Sequence, residues 1–510
     1  MLSANPTPLE VLTPYSILRL AFSIAVLAIT SYFGRLFYDA FFGPLSRFPG
    51  PKLRAVSKLP GIYTTATGRD AFVRAQLHES YGPIVRVNPT EISFNNGAEA
   101  WEAIYGFKKP KPYRDPQFYA VGVNGCPDVV SSDEENHSRQ RKILSTGFSD
   151  KAMKGYEPLL KSWAQKMITK MTEQNKKAGE IDMLKYLNCT TFDIMGDLAF
   201  GEGLNMLEDG ELSPWVQTIF AGFKAGTFWR CVMQYSALTN WLVIKLLFSS
   251  KAVRVKQWEN FEYCQSRMDK RLSHEPEHSD LWSRILAKPD SSEGLSRDEY
   301  HSNSVTLMVA GTETTATALS GLIYLLHQKE NSNALNKLKS EVRNSFSSLA
   351  DISLDSLVRL EYMHAVIQEG LRLYPPAPSQ LPRRTPPEGI QVCGQYIPGN
   401  ITVDVHPLAT FMSPKLFRDP KKFHPERWLG DPEYKDDQLD AVEPFSYGPQ
   451  NCLGKSFAWH EMRLLLAALI LSFDIELTPD AKGWINQNIY VLWEKKPLMC
   501  LLTSVSKASS

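Results

Sequence analysis

The stretch SRDEYHSNSVTLMVAGTETTATALSGLIYLLHQKE, residues 296–330, limits what this chain can become more than any other. Its middle is apolar on nearly every face of a helix, so it must be buried all round, in a bilayer or through the centre of a large protein. Glu313, with Thr312, Thr314, Thr315 and Thr317 around it, argues against the bilayer. A carboxylate at mid-span costs about 2.5–3.5 kcal/mol even on the lenient scale. The pattern therefore predicts a central core helix. Ser296 with Glu299 forms a capping box and Leu295 with Tyr300 a hydrophobic staple, which together set its start.

A core around such a helix requires a large domain, and no linker or internal repeat divides the 510 residues. IVRVNPTEISF, residues 84–94, reads as a strand, a turn at Asn88-Pro89 and a second strand. EPLLKSWAQKMITKM, residues 157–171, carries the helical period found over most of the chain. The expected fold is mainly α with a small β-sheet region. Polar loops are expected at 288–296 and 429–444.

Near the N-terminus, LAFSIAVLAITSYFG lies uncharged between Arg19 and Arg35, with no small-residue cleavage site after it. Tyr15–Tyr38 reads as an uncleaved anchor helix whose arginines snorkel, the alternative being a helix buried in the core. More Lys and Arg follow it than precede it, which places the bulk of the chain on the cytoplasmic side. Pro44, Pro49, Gly50 and Pro51 then make a stiff hinge. The resulting organisation is a membrane anchor with the start of the hinge (1–43), a single large domain (44–503) and a flexible tail (504–510). With 56 basic and 55 acidic residues, net charge +1 gives no sign of a nucleic-acid partner. The seven cysteines show no CxxC, against a disulfide framework or a zinc site.

Three constellations could carry chemistry. Gly311 sits mid-helix, where glycine costs up to about 1 kcal/mol relative to alanine. Its missing side chain could let a small ligand approach, with Glu313 and Thr314 beside it to deliver protons, or could admit a neighbouring helix. In VIQEGLRLYPPAP, residues 366–378, Glu369 and Arg372 lie one turn apart among apolar neighbours, so the pair is buried and needs a further partner. FHPERW, residues 423–428, offers Glu426 and Arg427. In PFSYGPQNCLGKSFA, residues 444–458, Cys452 follows a Gly448-Pro449 turn and precedes a strong helix pattern. Free amides at a helix start favour thiolate. One sulfur flanked by glycines suits a flat macrocycle better than zinc, and an inert buried cysteine is the alternative.

Together these segments resemble the cytochrome P-450 family of haem-thiolate monooxygenases over nearly the whole chain. AGTETT at 310–315 looks like the family's oxygen-groove motif, Glu369 to Arg372 like its Glu-x-x-Arg pair with Arg427 joining, and FSYGPQNCLG like its haem loop. The resemblance implies haem b held by Cys452 as axial ligand, with Phe445, Gly448 and Gly454 in the loop. HSRQRKIL, 137–144, implies His137 and Arg141 as propionate donors, and LPRRTPP, 381–387, implies Arg383. One position departs from the family: Gln450 stands where an arginine usually pairs a propionate.

The same resemblance implies insertion of one oxygen atom from O2 into a lipophilic small molecule, with electrons from NADPH through a cytochrome reductase. Glu313 and Thr314 would relay protons. Substrate contacts would come from the segments 113–129, 220–233, 377–381 and 489–491, with Tyr113, Phe118, Ala310, Gly311, Ala377 and Tyr490 as candidates. Arg139, Arg141, Lys142 and Lys455 could offer the reductase a cationic patch. FDIMGDLAFGE, 192–202, looks like membrane-bound fungal members of secondary metabolism, which implies the endoplasmic reticulum. The alternatives are a haem-thiolate isomerase or dehydratase needing no reductase, and a non-catalytic haem carrier or sensor. Retention of Glu313 and Thr314 argues against the former.

Overall fold

The computed structural model describes residues 14–119, 121–234, 251–286 and 294–505. Most of the loop expected at 288–296 and all but the first two residues of the tail at 504–510 lie outside them. The N-terminal helix spans Pro14–Phe41, longer at both ends than Tyr15–Tyr38. Within it Ile17–Phe41 is long and apolar enough to cross a membrane, and none of its most apolar window is buried against the protein. A helix with no protein cover for its apolar faces is not a core helix.

The central helix spans Arg297–Leu326. Its capping box closes as expected: Ser296 Oγ accepts the Glu299 N–H at 3.2 Å, and the Glu299 carboxylate accepts the Ser296 N–H at 2.8 Å. Every residue from Thr315 to Leu326 is buried. The helix gains that cover from Met183–Phe200, itself buried at every position but Lys185, and from Glu361–Leu373 and Lys455–Ser472.

A second, smaller core containing Ile92, Phe94, Trp101, Val403 and Phe411 lies at the main sheet. That sheet runs in the order Ile84–Asn88, Glu91–Phe94, Thr402–Val405, Arg383–Arg384, Tyr113–Arg114. The first two strands are the expected strand, turn and strand, paired antiparallel. Glu91–Phe94 and Thr402–Val405 are parallel, and the last two strands set Arg114 opposite Arg383 and Tyr113 opposite Arg384. Because side chains alternate faces along a strand, this short ribbon sends one residue of each Tyr-Arg or Arg-Arg pair inward and one outward.

Candidate functional site

The helix Glu361–Leu373 carries Glu369 and Arg372, both with no exposed side-chain surface. Arg372 Nε and Nη2 donate to the two Glu369 oxygens at 2.9 and 2.7 Å. Its remaining donors meet the carbonyls of Phe411 (2.8 Å), Pro420 (2.6 Å) and Lys422 (3.1 Å), so all five guanidinium protons are used. Glu369 also accepts from Arg427 Nε at 3.1 Å, Trp428 Nε1 at 3.0 Å and the His424 N–H at 3.0 Å. Of the two candidates in FHPERW, Arg427 joins the pair, while Glu426 bonds Lys337 and Tyr362 instead. Asp437 completes the cluster by accepting from Arg427.

Beyond this cluster a cavity of about 320 Å³ opens between the central helix and the loop before Lys455–Ser472. Cys452 presents its sulfur-bearing surface to that space, and its N–H donates to the Phe445 carbonyl at 2.8 Å. Burial pushes its thiol above the ordinary value, against the opposing pull of the Gly454 N–H, Arg141 and Lys455. The amide and cations near the helix start thus oppose, without cancelling, the effect of burial. Phe445, Gln450 and Gly454 line the same cavity. Gly448 does not: its φ is +74°, and a Cβ there would lie 2.0 Å from the Tyr105 carbonyl oxygen. The glycine expected to make room for a macrocycle instead lets the loop press on the helix Ala98–Tyr105.

One wall of the cavity is cationic. His137 and Arg141 come from the helix Glu134–Leu144, started by Asp133 accepting the Asn136 N–H at 2.9 Å. Arg141 reaches the haem-type loop itself, donating to Asn451 O at 2.6 Å and Asn451 Oδ1 at 2.5 Å. Arg383 donates to Tyr119 Oη at 2.6 Å. Arg114 is the residue that sequence reasoning missed: strand alternation turns it inward, where it donates to the Val129 carbonyl at 3.0 Å, and turns Tyr113 outward to 42% exposure. The signal was the Tyr113-Arg114 dipeptide, of which sequence reasoning names only the tyrosine as a candidate.

These four groups repel one another. Arg114 is lowered to about 10 by burial and by Arg383 and Arg141, and His137 to about 4 by burial and by Arg114, Arg141, Lys111 and Arg383. Among the described residues none of the four forms an ion pair with a carboxylate. A wall of clustered donors, none in a direct ion pair with a carboxylate among the described residues, facing a lone cysteine, fits the two propionates and the iron of haem b. Arg114 adds a charge to the lining of the same cavity, to which Gln450 brings none.

Thr314 faces the cavity and donates its hydroxyl proton to the Ala310 carbonyl at 2.7 Å. Glu313, expected beside it, is turned away by the ~100° step between successive helical residues. It is buried in an ion pair with Lys495 and accepts from Thr317 at 3.4 Å. Burial pushes Glu313 above the usual carboxylate range and Lys495 below its own, each partly offset by the other. Gly311 touches the cavity, and the space its absent Cβ would take is filled by Met195, whose Sδ lies 2.6 Å from that position, so any larger residue would have to displace the methionine side chain. Of the other pocket candidates, Ala310 and Ala377 line the cavity. Tyr490 lies with Glu313 at a separate cleft, and Phe118 lines a second compartment together with Thr227, Arg230, Ile489 and Val491. The expected cationic patch is also reduced, since Arg139 pairs with Glu299 and Arg141 points inward.

A helical fold with one buried Glu-Arg-Arg cluster and a cysteine facing a cationic cavity defines a haem-thiolate protein. Comparison with known sequences places it further: the Cytochrome P-450 family profile matches residues 58–502, and the chain belongs to that family. It is 43% identical to the cytochrome P-450 monooxygenase efuB of Hormonema carpetanum, over 92% of this chain and 94% of that protein. It is 38% identical to averantin hydroxylase of Dothistroma septosporum, over 91% and 87% respectively. A third relative, the cytochrome P-450 monooxygenase atr2 of Stereocaulon alpinum, is 36% identical over 95% of this chain and 96% of that protein. The chain is a cytochrome P-450 monooxygenase, of the kind that uses haem b and takes electrons from a reductase.

Proposed function

We propose that this monooxygenase hydroxylates, epoxidises or similarly oxidises a lipophilic small molecule in a fungal secondary-metabolite pathway. Haem, when bound, supplies oxygen binding and activation. The observation that carries the reading is one cavity shared by the Cys452 sulfur, the four-donor wall and Thr314. Cys452 Sγ would hold the haem iron, and Arg114, His137, Arg141 and Arg383 would hold the propionates. Leu307, Ala310, Ala318, Leu371, Ala377 and Leu381 exclude water and orient an apolar substrate. Thr314 Oγ1 keeps its own proton on the Ala310 carbonyl and so offers lone pairs to a water, which it holds as a proton donor at the substrate face. Glu313 feeds that water only by leaving Lys495.

The names of the fungal relatives, averantin hydroxylase among them, support the pathway class. We further propose the organisation of anchor and hinge (1–43), catalytic domain (44–503) and tail (504–510), with the anchor in the endoplasmic reticulum membrane and an NADPH-cytochrome reductase as partner. The test is the carbon-monoxide difference spectrum of the reduced protein, followed by turnover with and without NADPH and reductase. Cys452→Ala should abolish the thiolate-type band, and turnover should require reductase. Turnover on peroxide alone would favour an isomerase or dehydratase. Thr314→Ala should divert electrons from product, and unchanged coupling would remove that residue from the proton path.

A further inference from the structure

A second compartment of about 180 Å³ lies against the haem cavity. The partition between them is thin. Phe118 lines the compartment and Tyr119 the cavity, Arg384 the compartment and Arg383 the cavity, and Ser379 lines both. The compartment is polar, and two of its three arginines are neutralised. Arg74 bonds Asp70 (2.7 Å), Glu91 (2.6 Å) and Asp404 (3.2 Å), and Arg384 bonds Asp115 at 3.0 and 3.1 Å.

Arg230, on the helix Pro214–Met233, is the exception. Its guanidinium donates to Thr227 Oγ1 at 3.2 Å and lies 4.4 Å from the Phe118 ring centroid. Among the described residues no carboxylate pairs with it, and residues 235–250, which follow in sequence, contain no Asp or Glu. Burial lowers its pKa with no carboxylate opposing, whereas neighbouring Lys58, which also lines the compartment, is supported by Glu91 and Asp115. A largely desolvated guanidinium that meets only the Thr227 hydroxyl among the described residues is costly unless an anion completes it, and its fork matches a carboxylate.

We infer that the substrate is an amphiphile bearing a carboxylate, which Arg230 anchors in this compartment while the apolar body enters the haem cavity past Ser379. Phe118 holds the guanidinium plane from behind. The inference rests on the monooxygenase reading of the main cavity and narrows its substrate class.

The test uses the full-length holoenzyme in neutral phosphatidylcholine nanodiscs, with octanoate, dodecanoate and hexadecanoate and their methyl esters as probes, and calorimetric affinities as the readout. At least one acid should bind about tenfold or more tighter than its ester, the size of a charge-assisted hydrogen bond. Arg230→Gln should erase that preference without changing ester affinity, and Arg230→Lys should keep part of it. Equal affinity of acids and esters for the wild type, which needs no variant, would overturn the inference, as would an acid preference surviving in Arg230→Gln. Loss of the acid preference when phosphatidylserine is added to the nanodiscs would assign Arg230 to a lipid headgroup and likewise overturn it. The carbon-monoxide spectrum separates the two levels: an intact thiolate band with no acid preference removes only this inference, while its absence from the wild type removes the monooxygenase reading beneath it.

Discussion

At Glu369 two arginines, an indole, a backbone amide and a nearby aspartate close a buried cluster in which each charge has its counterpart. Along the cavity wall Arg114, His137, Arg141 and Arg383 are similarly buried or half-buried, yet they meet carbonyls, a phenol and one another. The first arrangement is complete without any ligand and holds loop to helix. The second is held in place by the fold at an electrostatic cost that Asp128 offsets in part and that a dianionic ligand would relieve. Buried charge is therefore structural where it is self-neutralising and functional where it is not.

The largest effect should come from breaking the complete cluster. Glu369→Gln leaves Arg372 and Arg427 buried without their carboxylate and should cost about 3–5 kcal/mol in chemical denaturation, in line with the removal of one partner from a buried pair. A loss below about 1 kcal/mol would erase the distinction between the two regions.

Arg114→Leu should do the opposite in haem-free protein, leaving stability unchanged or raised, because it relieves repulsion on Arg383, Arg141 and His137. The same variant should release haem about tenfold faster to an acceptor globin, the scale of one lost charge-assisted contact. If Arg114 already supplies the missing charge, Gln450→Arg should lose haem no more slowly than wild type. Slower loss would show that the wall is one cation short.

The smallest effect is in pH. His137 is depressed to about 4 and His406 to about 3, both below the 6.5 of an unfolded histidine. The unfolded chain then binds more protons between those values, so stability falls as pH drops from about 6.5 toward 4. Comparing urea midpoints at pH 7 and 5, His406→Gln should lessen that fall with or without haem. His137→Gln should lessen it chiefly without haem, since propionates would restore the His137 proton affinity. Equal behaviour of the two variants would place His137 outside the propionate site.

Much of this site is legible in the amino-acid sequence. The capping box at Ser296, the turn at Asn88-Pro89, the Glu369 and Arg372 spacing and the Cys452 loop are all local patterns, written within a few residues of one another. The family resemblance then picks Arg427 over Glu426 as the third member of its cluster. What local pattern misses is direction. Tyr113, expected at the substrate, points outward while its neighbour Arg114 faces the cavity, and Glu313 is assigned the face that belongs to Thr314. Phe118 and Tyr490 are expected over a cavity that they do not touch.

By itself, then, the sequence determined the class of fold, the turn and helix start that carry Cys452, and the buried Glu-Arg pair, because periodicity, caps and short motifs act over a turn or a loop. Only the tertiary structure decided that Met195 fills the space at Gly311, that Lys495 captures Glu313, that Asp437 completes Arg427, and that Arg114 rather than residue 450 charges the wall. Each of those partners lies on a separate element, and which side chain meets which is set by strand parity and helix packing, quantities that no short stretch of sequence contains.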